Sequence, residues 1–535
     1  MFSRVISAAV YGIDAYIVNV ETDVGFGLPT FDMSGALGSK VREAKDRVRV
    51  AIKNSGIELT PQKIVINISP ANIRKEGTIY DLPIAIGILA ANGCFDLKIL
   101  ENVLIIGEVS LDGSINPVKG VLPMVCAAKE AGIDNCIIPK ANIAEGRIMN
   151  NINIYGVETL SQTIEILKNI AVIDGSRKNI KQADVKSGEC NKSDGNINND
   201  TYNVLERSRV KFTYGSEVKN NNHSCSYNID YSDISGQEAA KRATMIAVSG
   251  MHNIMYIGPP GSGKTMLAQR IPTIMPDMDY EEQLRLTKIY SVAGLLDSEG
   301  GIMVKRPFRN PHHTITQAAL LGGGAGVLFL DEMTEFNQVI MEALRQPLED
   351  KVITLVRVNA AYTYPAHFML AAAINPCKCG YYPDRNRCHC SEYDIRRYIG
   401  RISNPMWDRF DMCVKVDEVS YEVMRNKGNV DTIYNSTDMK NKVEAARQMQ
   451  KDRFKKLDIN YNSQMGVREI HKYCTLNVEC NELMERMYKQ HNMSARAYNK
   501  VLKTARTIAD LKGSVNIEKE HLTEALFYKN CEVKS

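Results

Sequence analysis

Along the first 170 positions, apolar residues fall into short runs of two kinds. Ala15–Val20, Lys63–Ile68, Val103–Ile106 and Cys136–Ile138 read as strands, and Ser39–Ser55, Leu82–Asn92 and Pro123–Ala131 carry helical spacing. Their alternation predicts an α/β or α+β domain over residues 1–173. From 174 to 228 the composition changes to Asn, Ser, Lys, Asp and Gly, as in Asn191–Asp200. Such a segment buries too little apolar surface to offset its ordering entropy and is expected to be a disordered linker. Strand-like and helical runs alternate again over 229–417, predicting a parallel-sheet domain. Residues 418–535 are helical by pattern, with a linker-like patch at Asn426–Asp438.

Hydrophobic residues make up 44% of the 535 positions and charged residues 24%, so large cores can form. The formal net charge of +4 is too small to argue for nucleic-acid binding by itself. Thirteen cysteines, scattered singly apart from one cluster at 377–390, suggest a reducing compartment rather than a disulfide framework. Residues 1–20 contain Arg4 and Asp14 and no cleavable apolar core, unlike a signal peptide. The longest apolar stretch, Leu82–Ala91, is too short to span a bilayer. The expectation is a soluble cytoplasmic protein with no membrane partner.

Candidate chemistry centres on Gly258-Pro259-Pro260-Gly261-Ser262-Gly263-Lys264-Thr265, which has the spacing of a phosphate-binding loop. A short apolar run, Asn253–Ile257, precedes it and a helical one, Met266–Ile271, follows, giving the strand–loop–helix context the motif requires. Glycines let backbone N–H groups surround a phosphate chain, and the helix N-terminus adds partial positive charge. Lys264 is expected on the β/γ-phosphates of ATP and the Thr265 hydroxyl on Mg²⁺. Downstream, Val327–Leu330 ends in Asp331 and Glu332, one carboxylate for the metal shell and one to act as general base on water. A third apolar run, Phe368–Ile374, ends at Asn375, placed to orient that water; a loop-capping Asn is the alternative. Arg409 in Asp408–Asp411 and Arg496 in Ser494–Arg496 can neutralise γ-phosphate charge, although an ordinary surface role suits any single arginine.

This order of motifs resembles the AAA+ ATPases and, more narrowly, the magnesium-chelatase-like YifB/ComM family. Further strings carry the likeness: Val41-Arg-Glu-Ala-Lys-Asp-Arg-Val-Arg49, Tyr80-Asp-Leu-Pro-Ile-Ala-Ile86, Arg306-Pro-Phe-Arg-Asn-Pro-His-His-Thr314, Arg345-Gln-Pro-Leu-Glu-Asp350 and Ser494-Ala-Arg-Ala-Tyr498. The resemblance implies an AAA+ core over 229–417 and a helical lid over 418–535. It gives Asn375 the sensor-1 role, Arg409 that of a finger acting on a neighbouring subunit's ATP, and Arg496 the sensor-2 role. It further implies a homo-oligomeric ring, a hexamer, acting on DNA in branch migration. One departure is visible: relatives usually carry a Pro-Gly-Glu-Ile-Ser-Leu-Ala-His type segment before the Asp-Glu strand. Here Gly322-Gly-Gly-Ala-Gly326 runs directly into Val327.

The N-terminal stretch Gly107–Gly120, followed by Ala127–Ile138, resembles the proteolytic domain of Lon, an α+β fold of the S5-domain-2-like kind. Lon needs a serine activated by a lysine. Alignment of the two motifs puts Ile84 at the serine position and Leu122 at the lysine position, with Lys119 three residues early. No peptide hydrolysis is expected.

Cys377, Cys379, Cys388 and Cys390 can enclose Zn²⁺ tetrahedrally, with His389 able to replace one sulfur; reduced thiols without metal are the alternative. Two segments are candidates for a pore lining. Lys305–His313 mixes basic and aromatic residues, and Val352–Arg357 with Ala361–Tyr364 reads as a hairpin. Three readings follow: a DNA-translocating ATPase, a magnesium-chelatase-like remodelling ATPase, and a nucleotide-binding scaffold with weak turnover.

Overall fold

The computed structural model describes residues 1–170, 227–296, 301–312, 326–357, 360–425, 434–457 and 459–529. Almost all of the expected linker 174–228, and residues 322–325 of the glycine run, lie outside them. Two compact units divide the chain. The first takes Met1–Asn222 with Gln283–Met303 and Val356–Tyr362; the second takes His223–Glu282, Val304–Leu355 and Thr363–Ser535.

A seven-stranded mixed sheet organises the first unit. Its strands are β1 (Phe2–Tyr11), β2 (Asp14–Gly25), β3 (Phe31–Ser34), β4 (Lys63–Ser69) and β5 (Val103–Ile105). The short pair β6 (Glu108–Val109) and β7 (Ile115–Asn116) stands apart from it, and β8 (Asn135–Pro139) and β9 (Asn153–Val157) complete it, in the order β3-β4-β2-β1-β5-β8-β9. Strand periodicity sends successive side chains to opposite faces. Val103 and Ile105 therefore enter one core, with the helices Ala44–Asn54 and Asp81–Ala91, while Leu104 and Ile106 enter another with Val121–Glu130. All eleven residues of Asp81–Ala91 are buried, as a helix apolar on every side must be. Its single charge, Asp81, is met by Arg47 through Nε at 2.8 Å and Nη2 at 3.0 Å.

The periodicity did not single out β1, which pairs with β2 over its whole length, Phe2↔Asp23 to Tyr11↔Asp14. Ser3 and Ser7 interrupt its apolar face; Ser3 is accommodated by donating to the Gly87 carbonyl at 2.7 Å. The helix expected over Ser39–Ser55 breaks at Glu43 into Ser39–Arg42 and Ala44–Asn54. Residues 283–303 fall within the span expected for the ATPase core yet count with the first unit. There Lys288 pairs with Asp14 at 2.8 Å, and the Gly120 amide donates to Ser291 O at 3.1 Å.

The second unit is built on a parallel sheet of β10 (Ile254–Ile257), β11 (Phe308–Arg309), β12 (Val327–Leu330), β15 (Met369–Ile374) and β16 (Met412–Lys415); a separate hairpin, β13 (Val352–Arg357) and β14 (Ala360–Pro365), intervenes in sequence. The order is β11-β12-β15-β10-β16, every pairing parallel. Ile254, Tyr256, Val327, Phe329, Ala371 and Ala373 enter one core; Met255, Ile257, Leu328, Leu330, Ala372 and Ile374 enter the other. The C-terminal helices Ser436–Phe454, Ala495–Leu511 and Lys519–Lys529 share the first of these cores through Val443, Leu502, Ile508 and Leu522. These C-terminal helices and the sheet therefore share one core.

Candidate nucleotide site

Sheet order brings three motifs that are distant in sequence to one edge. β15 lies between β10 and β12, with Ile257 opposite Ile374 and Leu330 opposite Ala372. The carboxyl ends of these strands therefore deliver Gly258, Asn375 and Asp331 side by side, the place where open parallel sheets bind ligands.

The loop itself is shaped by close approach and by backbone hand. A Cβ on Gly258 would lie 2.0 Å from the Val416 carbonyl oxygen, so no larger residue fits. Gly261 and Gly263 hold φ of 76° and 91°, a region other residues enter at a cost. The Ser262 hydroxyl is buried without a hydrogen-bond partner. Lys264 opens the helix Lys264–Gln269, and its ammonium donates to Gly258 O at 2.8 Å, Pro259 O at 2.8 Å and Asn375 Oδ1 at 3.0 Å. Burial pushes this ammonium down to about 8, against the opposing pull of the Asp331 and Glu332 carboxylates.

Thr265 Oγ1 donates to Asp331 Oδ2 at 2.8 Å. A hydroxyl and a carboxylate oxygen so close, next to a phosphate cradle, form a hard donor set that suits Mg²⁺. Glu332 follows with φ 48° and ψ 48° and is exposed. A non-glycine residue in the left-handed region is strained, and such strain concentrates at functional sites. The sequence-predicted residues Gly258–Thr265, Asp331, Glu332 and Asn375 thus form one group.

Arg409 and Arg496 form another. Arg409 precedes β16, which runs parallel to β10 with Met412 opposite Ile254. The arginine therefore lies at the amino edge of the sheet, whereas the loop lies at the carboxyl edge, separated by about 13 Å of strand. It is fixed there on both sides: Phe410 is fully buried, the Asn253 side chain donates to Arg409 O at 3.0 Å, and Asp411 pairs with Lys500 at 2.8 Å. The Arg409 guanidinium donates to Pro405 O at 2.7 Å and pairs with Glu349 at 2.5 Å; Arg496 reaches the same carboxylate at 3.8 Å. Arg496 sits in the first turn of Ala495–Leu511, capped by Ser494, with its side chain 69% exposed. A cation there opposes the helix dipole, so stability alone does not place it. Glu349, which sequence reasoning quoted only within a motif, is the residue that gathers both arginines.

Other expectations are narrowed. Arg306 is buried, donating to Pro276 O at 2.8 Å and pairing with Glu282 at 2.9 Å, and Phe308 stacks on Phe329 at 5.9 Å. Those two residues of the basic-aromatic segment serve packing. His313 and the side chains of 355–362 lie outside what is described. Ile84 is fully buried within an apolar core, and Leu122 is fully buried with its amide donating to Glu145 Oε1 at 2.9 Å. Cys377, Cys379, Cys388 and Cys390 converge, with all four Sγ within 4.8 Å of one another; His389 is exposed and outside that group. Among the described residues no helix is long and apolar enough to cross a membrane.

Comparison with known proteins agrees with this arrangement. A family model described as magnesium chelatase, subunit ChlI, matches residues 230–424. Models for the subunit ChlI of Mg-chelatase and for the ChlI C-terminal region match 20–142 and 434–529. The competence protein ComM of Haemophilus influenzae is 35% identical over 539 residues, covering 98% of this chain and 97% of that one. The uncharacterized protein YifB of Escherichia coli is 35% identical with the same coverage. An archaeal Lon protease of Thermococcus kodakarensis is 31% identical over 151 residues, 27% of this chain and 23% of that enzyme. The Lon likeness stops after one domain, whereas the likeness to ComM and YifB runs from end to end, and on that ground the chain belongs to the magnesium-chelatase-like YifB/ComM family of AAA+ ATPases.

Proposed function

We propose that this chain hydrolyses ATP as a subunit of a homo-oligomeric ring that works on DNA. One observation carries the reading: the phosphate loop and Arg409 occupy opposite edges of the same sheet, and Arg496 shares Glu349 with Arg409. An arginine at the amino edge cannot reach its own chain's γ-phosphate, so its transition-state role requires a second copy. Lys264 and the loop amides bind the phosphates, and Thr265 and Asp331 would hold Mg²⁺, which when bound neutralises phosphate charge. Asn375, already at 3.0 Å from Lys264, orients the water, and Glu332 takes its proton. Arg409 and Arg496 leave Glu349 for the neighbour's nucleotide. A hexamer is the ring size expected by resemblance, and a first domain without the Ser/Lys pair leaves no route to peptide hydrolysis.

DNA as substrate rests on the competence protein ComM among the full-length relatives. The family models, all described as magnesium chelatase, favour a second reading in which the motor remodels a protein or cofactor partner. ATP turnover of the purified chain with and without forked DNA separates them. Stimulation by forked DNA is expected. Turnover indifferent to DNA would transfer support to the remodelling reading, and absence of turnover would reduce the chain to a nucleotide-binding scaffold.

A further inference from the structure

The loop after β15 carries a cluster that the ATPase chemistry does not use. Cys377 and Cys388 are buried, Cys379 and Cys390 half-buried, and none is in a disulfide. Their sulfurs lie 3.3 Å (Cys377–Cys379), 3.7 Å (Cys377–Cys388) and 3.6 Å (Cys379–Cys388) apart, and all four fall within 4.8 Å of one another. A tetrahedron of 2.3 Å zinc–sulfur bonds has edges of about 3.8 Å. The spacing therefore matches one metal ion at the centre, and it is too tight for a four-iron cluster, which holds its cysteine sulfurs around a whole cube. Cys-x-Cys works here because residues 377–380 form a turn, closed by Gly380 N to Cys377 O at 3.0 Å, instead of continuing the strand. The Gly380 and Tyr382 amides donate to Cys377 Sγ at 3.2 Å and 3.4 Å, the outer support that metal-bound thiolates usually receive. Four sulfurs leave no open position, so such a site is structural.

The same loop touches the phosphate loop. Gly380 holds φ +90°, and a Cβ there would lie 2.4 Å from Pro260 Cδ and 2.8 Å from its Cγ. Two residues before Cys377, Asn375 accepts from Lys264. The cluster thus ties down a segment that abuts the phosphate loop at two points, at Gly380 and at Asn375.

We propose that Cys377, Cys379, Cys388 and Cys390 bind one structural Zn²⁺, and that this metal braces the phosphate loop through the Gly380–Pro260 contact. The bracing half rests on the nucleotide-binding reading above; the metal half does not.

The test uses the full-length chain. Elemental analysis should give one zinc per chain, lost in Cys379→Ser and Cys388→Ser. Cobalt substitution should give the visible absorption of a tetrahedral thiolate site. Titrating the four thiols with a mercurial should release the zinc stoichiometrically without any substitution, and the affinity for a fluorescent ATP analogue should then fall about tenfold or more. Gly380→Ala should keep its zinc and weaken the same binding, which separates bracing from loss of fold. Absence of zinc, or iron in its place, overturns the metal site. Zinc release or Gly380→Ala with unchanged nucleotide affinity overturns the bracing. A zinc-loaded chain that binds no nucleotide, and is indifferent to Lys264→Ala, refutes the nucleotide reading and with it the bracing, leaving the metal site standing.

Discussion

Lys264 should make ATP affinity depend on pH in a way that only its burial explains. The residue is 8% exposed, and its ammonium is held down to about 8 from an ordinary 10.5, chiefly by burial. That depression corresponds to about 3 kcal/mol of disfavour for the charged form in the free loop. A bound γ-phosphate supplies the counter-charge and restores the proton's affinity, so above pH 8 nucleotide binding must take up a proton. Affinity should fall by about twofold between pH 7 and 8 and then steepen toward tenfold per unit, about thirtyfold by pH 9.5. The stability contribution has the opposite sign. A lysine depressed in the folded state makes folding more favourable as pH rises from 8 toward 10.5, so weakening cannot be blamed on this residue unfolding the site. Fluorescent-nucleotide titrations with Mg²⁺ across pH 7–9.5 measure the slope, and calorimetry in two buffers of different ionisation heat counts the proton. Lys264→Arg, which keeps its charge throughout, should bind more weakly with no slope. A flat profile to pH 9.5 in the unaltered chain would refute the reasoning.

Glu332→Gln should retain ATP affinity while turnover falls about 10²–10⁴-fold, the range for removing a general base; unchanged turnover would take Glu332 out of that role. Lys264→Ala and Arg409→Ala should each be inactive alone. An equimolar mixture should recover about a quarter of the turnover, because intact loops then meet intact arginines at random interfaces; no recovery would argue against action across the subunit boundary. Asp81→Ala should destabilise the first unit by about 2 kcal/mol in urea unfolding, since it removes the buried carboxylate that accepts two hydrogen bonds from the partly exposed Arg47. A paired Asp81→Leu, Arg47→Met change should recover most of that loss. Burial raises the Asp411 carboxyl, but Lys500 and His252 outweigh it and hold it well below the ordinary range. Its contribution is therefore complete above about pH 4 and is lost as pH falls below that. Asp411→Asn should flatten the acid limb of the unfolding midpoint measured between pH 2 and 5.

Local signals carried far in this chain because its motifs are punctuated by strand ends. The run Ile254–Ile257 followed by glycines, Val327–Leu330 followed by two acids and Met369–Ile374 followed by Asn375 are each legible within a window of about ten residues. β1 was harder, since Ser3 and Ser7 break its face and only the Gly87 carbonyl, which accepts the Ser3 hydrogen bond, explains the place of Ser3. Arg306 and Phe308 looked like ligand-contacting residues because composition cannot tell a solvent-facing cation from one paired to Glu282.

The sequence by itself determined which residues could touch a nucleotide, since residue type and spacing dictate what a short loop or a strand end can offer. Tertiary structure alone decided who meets whom. Inserting β15 between β10 and β12 brings Asn375 to Lys264 across more than a hundred residues, and parallel pairing of β16 with β10 sends Arg409 to the far edge. It also gathers Arg409 and Arg496 on Glu349 and four thiols around one centre. Such adjacency depends on which strands pair and which cores close, a balance of burial summed over the whole unit that no local window contains.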